Sequence, residues 1–169
     1  MALLEPSDSS VTREIPISRG YVALVDESDY EAISAHRWHA FTPKSGGVYA
    51  IRYEHPGGKT RPILMHRQIM AVSDPEIQID HRDGNGLNNI RLNLRRCTFE
   101  QNNRNRRRSQ KGNKFKGVRY RPNGTYLAVV AHQYLGTFDT PEEAARAYDA
   151  GAIARFGEFA ATNASLGLL

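Results

Sequence analysis

The chain of 169 residues has one cysteine, Cys97, one tryptophan, Trp38, and no long apolar run. A lone cysteine can neither close an internal disulfide nor build a Cys-x-x-Cys clamp, so structural zinc is not expected. Mean hydropathy is -0.57, and the opening MALLEPSDSS has a short apolar start with acidic flanks. Neither a secretory leader nor a membrane-spanning helix is expected, which predicts a cytoplasmic, intracellular protein with no membrane partner. No heptad or exposed apolar stripe marks a dimer seam, so no obligate protein partner is evident. A hydrophobic content of 40% argues against a wholly disordered chain. The length suits one ordinary domain or two small ones.

Acidic side chains are also missing from one segment, and that absence is informative. Residues 95–121 hold 11 Lys and Arg against the single acid Glu100, while the segments before and after are each net acidic. A local charge of +10 requires solvent or a polyanion, and nucleic acid is the first candidate because each neutralised phosphate releases counterions. Within it, Arg104, Arg106, Arg107 and Arg108 lead into Lys111 and Lys114 without apolar periodicity. Residues 106–114 are therefore expected to be a basic linker that orders, if at all, along a phosphate backbone.

The first seventy residues read as short strands with one helix. Ile15-Pro16-Ile17 and Tyr21 to Val25 are β-rich runs separated by Gly20, and Ser28 with Glu31 has capping-box form for a helix. Val48 to Ile51 and Arg61 to His66 read as further strands, with a turn at Gly57-Gly58 between them. His36, His39, His55 and His66 show no metal-ligand spacing, so packing or surface roles are expected for them. Beyond this platform, Ile77 to His81 reads as a strand that ends at the Asp83-Gly84-Asn85-Gly86 turn. Arg91 to Leu94 reads as its partner strand, and Thr98 as the cap of a short helix from Glu100 to Asn105.

Phosphodiester hydrolysis needs a group to deprotonate water and a charge to stabilise the phosphate oxygens. Asp80-His81, with the asparagines that follow, could divide that work, since a histidine serves as base and magnesium needs only one or two protein oxygens. The residues alone leave a second reading open, in which Asp80-His81 caps a turn and the asparagines satisfy loop backbone.

Residues 77–105 resemble the HNH nuclease motif of phage and intron homing endonucleases, through DH at 80–81, NL at 93–94 and QNN at 101–103. The segment from Ile15 to Arg67 is similar to the portion that precedes the motif in such phage proteins. The resemblance implies a ββα-metal unit in which His81 is the general base, Asn93 orients its imidazole, and Asp80 with Asn102 holds a divalent metal, Mg2+ or Mn2+. Asn103 is the alternative ligand, and Asn88 and Asn89 lie in the intervening loop. The implied setting is a bacterial or phage-infected cell.

From Lys111 onward a second unit is legible. Phe115 to Arg121, Tyr126 to Ala131 and Tyr134 to Phe138 read as three strands, with a turn at Pro122-Asn123-Gly124. Thr140-Pro141-Glu142-Glu143 then combines an N-cap, proline at the first helical position and glutamate at N3, and Gly157 closes the helix. The small residues Ala144, Ala147 and Gly151 should let that helix approach a sheet closely. KGVRYRPNGTYLAVVA, YLGTFDTPEEAARAYDAGAIARFG and ATN resemble the plant APETALA/ethylene-response-factor DNA-binding domain. The resemblance implies a sheet lying in the major groove of double-stranded DNA, with Lys116, Arg119 and Arg121 as basic contacts. Asn123, Val129 and Ala131 depart from that family, so its GC-rich target does not carry over.

The expected fold class is α+β: a β-rich N-terminal region leading into the ββα-metal unit, then a three-stranded antiparallel sheet on one helix. The expected domains are a nuclease at 11–105, the linker at 106–114 and a DNA-binding domain at 115–163. The expected function is a metal-dependent DNA endonuclease of the homing type, targeted by its C-terminal domain. The rival from another class is a DNA-binding regulator whose nuclease unit is inactive, and a further one is an RNA-binding module.

Overall fold

A computed structural model describes residues 11–44, 46–104 and 114–169, with backbone only at 103 and 104. The fold is mixed α and β; the N-terminal strand pair and both three-stranded sheets are antiparallel, and one isolated bridge is parallel. Two compact units are distinguished, one made of residues up to His81 with Asn85–Arg96, the other of Arg82–Gly84 with residues from Cys97 onward. Arg104 closes a helix of the second unit, whereas Arg106, Arg107, Arg108 and most of the basic linker lie outside the described residues.

In the first unit β1 (Thr12–Pro16) pairs with β2 (Val22–Asp26), with Ile15 opposite Ala23. β3 (His39–Phe41), β4 (Tyr49–Glu54) and β5 (Arg61–Leu64) form a three-stranded meander. Alternation along these strands delivers Ile15, Val25, Ala40 and Ala50 to a core completed by Trp38, Met65, Ile69, Ile79 and Leu94. The indole N–H of Trp38 donates to the Ile33 carbonyl at 2.8 Å, so the ring is buried without an orphaned donor.

Three expectations are corrected here. The helix α1 (Glu27–Ser34) starts two residues earlier than Ser28 as N-cap implies: Asp26 is the N-cap position, and its Oδ2 is taken by the Arg91 backbone N–H at 2.6 Å. The expected strand from Arg61 to His66 stops at Leu64, and α2 (Met65–Ile69) begins there, which buries Met65, His66 and Ile69 at helical spacing. The partner of β6 (Gln78–His81) is β7 (Leu94–Cys97), while Arg91–Asn93 forms a 3-10 turn before it. That turn is clamped because Arg91 donates to both carboxylate oxygens of the buried Asp29, each at 2.7 Å.

In the second unit α3 (Phe99–Arg104) opens with Thr98 as expected. The Thr98 hydroxyl accepts from Gln101 N at 3.2 Å and Gln101 Oε1 accepts from Thr98 N at 2.9 Å. β8 (Val118–Tyr120), β9 (Tyr126–Val130) and β10 (Gln133–Phe138) form an antiparallel sheet in the order β10-β9-β8. α4 (Pro141–Phe156) packs on one face of it, opened by the full Thr140–Glu143 capping box. A Cβ at Gly117, where φ is +74°, would collide with the Tyr148 ring of α4. Asp149 accepts from Asn163 N at 2.6 Å and Ala164 N at 3.0 Å, which ties the C-terminal turn to the helix.

Candidate active site and nucleic-acid interface

The end of β6 delivers Asp80 and His81 to opposite sides of the strand, and both are buried, at 5% and 4% exposure. On one side Asp80 Oδ2 accepts from Arg95 Nε at 2.8 Å and Nη2 at 2.6 Å, an ion pair between adjacent strands from which water is largely excluded. On the other side the His81 ring meets His66 of α2 edge-on at 5.1 Å between centroids, with Tyr49 of β4 5.9 Å from each. Burial first, then the proximity of His81 and Arg67, push the His66 imidazole down to about 3, so this ring is neutral at neutral pH.

The loop between β6 and β7 closes over His81. Leu24 of β2 exchanges backbone bonds with it at both ends, from Leu24 N to Leu87 O and from Asn89 N to Leu24 O, each 2.8 Å. Gly86 is required in this loop because a Cβ there would stand 2.5 Å from Val48 O and 2.7 Å from the Tyr49 ring. Asn89 is wholly buried; its Nδ2 donates to Leu87 O at 3.1 Å, which turns its Oδ1 toward His81 Nε2 at 3.3 Å. An amide oxygen only accepts, so Nε2 is the donor in this contact.

Asn93, the expected orienting residue, donates through Nδ2 to Asn88 O at 2.7 Å. A contact to His81 Nε2 comes from Asn89, which sequence spacing did not single out. Asn102 lies half-buried in α3 with its N–H on Thr98 O at 3.0 Å, and belongs to the second unit, whereas Asp80, His81 and Asn93 belong to the first. Among the described residues no group of three His, Cys, Asp or Glu could hold a metal.

In the second unit Val118, Ala128 and Val130 face α4. Arg119 stands opposite Leu127 on the other face, and Arg121 is exposed just beyond the end of β8. Lys116 differs from these arginines: it is half-buried, and burial lowers its ammonium below the ordinary lysine value, against the opposing pull of Asp149.

No family model matches the chain. An uncharacterized HNH endonuclease of Acanthamoeba polyphaga mimivirus is 33% identical over 150 residues, covering 86% of this chain and 76% of the relative. An ethylene-responsive transcription factor of Oryza sativa subsp. japonica is 47% identical over 66 residues, 36% of this chain and 21% of that protein. A second, from Arabidopsis thaliana, is 39% identical over 97 residues, 52% of this chain and 60% of its own length. The chain thus spans about a fifth to three fifths of these two plant relatives. Taken with the fold, these likenesses define a nuclease-type protein that is similar over part of its length to ethylene-responsive transcription factors. The chain belongs to the HNH endonuclease family.

Proposed function

We propose that the protein is a metal-dependent DNA endonuclease of the homing type, directed to double-stranded DNA by its C-terminal sheet. The observation that carries this reading is the buried imidazole of His81 at a strand end, its Nε2 held by Asn89 Oδ1 at 3.3 Å; Nδ1 is assigned as the base. His81 takes the proton of the attacking water at Nδ1, and Asn89 Oδ1 stabilises the imidazolium that results. Asn93 holds the loop segment that carries Asn89. Asp80 and Asn102 are the residues that would hold Mg2+ or Mn2+; their hard oxygens suit such a cation, with phosphate and water completing its shell. When bound, the cation offsets charge developing on the phosphate and on the leaving 3′ oxygen. Arg95 fixes the Asp80 carboxylate by a charge-assisted pair of bonds in a buried setting. Arg104, Arg106, Arg107 and Arg108 grip the phosphate backbone, and Arg119 and Arg121 engage DNA from the sheet. Lys116, being half-buried, contributes least of these. The nuclease is taken as 11–105 with its ββα-metal core at about 77–105, the linker as 106–114 and the DNA-binding domain as 115–163.

The deciding experiment incubates the purified chain with supercoiled plasmid and Mg2+, beside a chelator control and His81→Ala. Nicked or linear product that needs both the metal and His81 supports the reading. Duplex binding with no product under Mg2+ or Mn2+, on host DNA as well as plasmid, would establish the inactive-nuclease regulator in its place.

A further inference from the structure

We propose that the open face of the β8-β9-β10 sheet reads thymine, through the C5-methyl group that this base alone displays in the major groove. The inference rests on the DNA-binding role just proposed and assigns that surface its base preference. The sheet register sets out the face. Leu127 stands between Arg119 and Thr137 in one row, and Val129 stands opposite Tyr134 in the next. Alternation sends Val118, Ala128 and Val130 to the helix, so Leu127 and Val129 turn away from α4, and neither belongs to the hydrophobic clusters of this unit. Both are only partly covered, which leaves aliphatic surface in the middle of the sheet. Tyr134 is 61% exposed, and its hydroxyl lies 3.0 Å from Thr137 Oγ1, which holds the ring across the face.

What these strands lack is as specific as what they carry. VRY, YLAVV and QYLGTF contain no Asp or Glu to accept from the cytosine amino group. The one carboxamide, Gln133, is at the very start of β10, so the central rows have none to pair with an adenine edge. The central rows therefore offer methyl-sized apolar contacts, with a hydroxyl at the edge. The flanking Arg119 and Arg121 supply the charge complementary to DNA, in continuity with the basic segment that runs directly into β8. Three strands at about 4.8 Å spacing span about 10 Å, which fits a major groove about 12 Å wide.

The test selects from a random duplex pool with full-length His81→Ala, in which the proposed cleavage is abolished. The enriched duplex is then made with thymine or with deoxyuridine, which differ only by the methyl. The expected result is enrichment of adjacent thymines, with affinity falling about fourfold for each contacted thymine replaced. Val129→Ala should shrink the thymine–deoxyuridine difference, whereas Arg119→Ala should weaken both duplexes alike. Enriched sites that bind equally well with either base would overturn thymine reading and leave DNA binding intact. Failure to retain any duplex would remove both that reading and the DNA-binding role beneath it.

Discussion

At the end of β6 the ring of His81 meets neighbours that no sequence spacing advertises. DH at 80–81 was legible because the family motif is contiguous there, but the side chains that surround His81 come from β4, α2 and the loop. Tyr49, His66 and Asn89 are separated by 17 and 23 residues in sequence and converge only when the strands pair. His66 was expected to serve packing or surface; it is core packing, in contact with the proposed base. Arg95 was visible only as one unit of a charge excess, and the structure pairs it with the buried Asp80. Two outcomes are expected at this scale. Asn89→Ala leaves the His81 Nε2–H without its acceptor, so plasmid-cleavage kcat should fall about 10- to 100-fold with KM little changed. Unchanged kcat would move the orienting role to Asn93. The second concerns pH. The folded state holds His66 neutral down to about pH 3, whereas the unfolded chain protonates it near 6.5. Its neutral form therefore favours folding above 6.5, and that advantage is lost as pH falls toward 3, at up to about 1.4 kcal/mol per pH unit. Urea titrations of the wild type and His66→Phe, from pH 7.5 to 4.5, should show the wild type losing ground to the variant only below about pH 6.5.

Elements were legible where a local signal was strong and unopposed. Thr140-Pro141-Glu142-Glu143 was read as a helix start, and the capping box forms with both of its bonds, because nothing else competes for those groups. Thr140→Ala should cost about 1 kcal/mol of second-unit stability, measurable as a lowered Tm. At Asp26 the local signal lost to a tertiary one, since the Arg91 N–H occupies the carboxylate and the capping-box pattern at Ser28 forms no cap. The start of β7 was misplaced for a related reason: Arg91 is drawn to Asp29, and the chain turns there before it can pair. The β9–β10 hairpin shows a third kind of conflict. Its two turn residues, Ala131 and His132, both take positive φ, 44° and 69°, the geometry that Asn-Gly adopts without strain. Ala131→Asn with His132→Gly should therefore stabilise the second unit by about 1–2 kcal/mol, raising its Tm by several degrees. A lowered Tm would show that the native turn residues make contacts that outweigh the strain.

Over the whole molecule the charge distribution was fully legible, because net charge along a segment depends on composition and not on folding. Its consequence for binding is a statement about ions. Arg104, Arg106, Arg107 and Arg108 stand in sequence between the proposed base and the sheet, in a stretch with no acid after Glu100 until Asp139. If each neutralises one phosphate, log K for duplex binding falls against log salt with a slope of about 0.9 per contact. Replacing Arg106, Arg107 and Arg108 together by Gln should reduce that slope by about 2 to 3 and weaken binding to all sequences equally, since phosphates carry no base identity. The tether also sets cleavage, because two modest DNA contacts joined by a short segment raise each other's effective concentration. In the triple variant, cleavage at low DNA concentration should drop with KM, while kcat at saturating DNA stays near wild type. A drop in kcat at saturation would instead give these arginines a part in the hydrolytic step. Fluorescence anisotropy across 50–300 mM salt, beside a plasmid-nicking titration on the same preparations, separates the two.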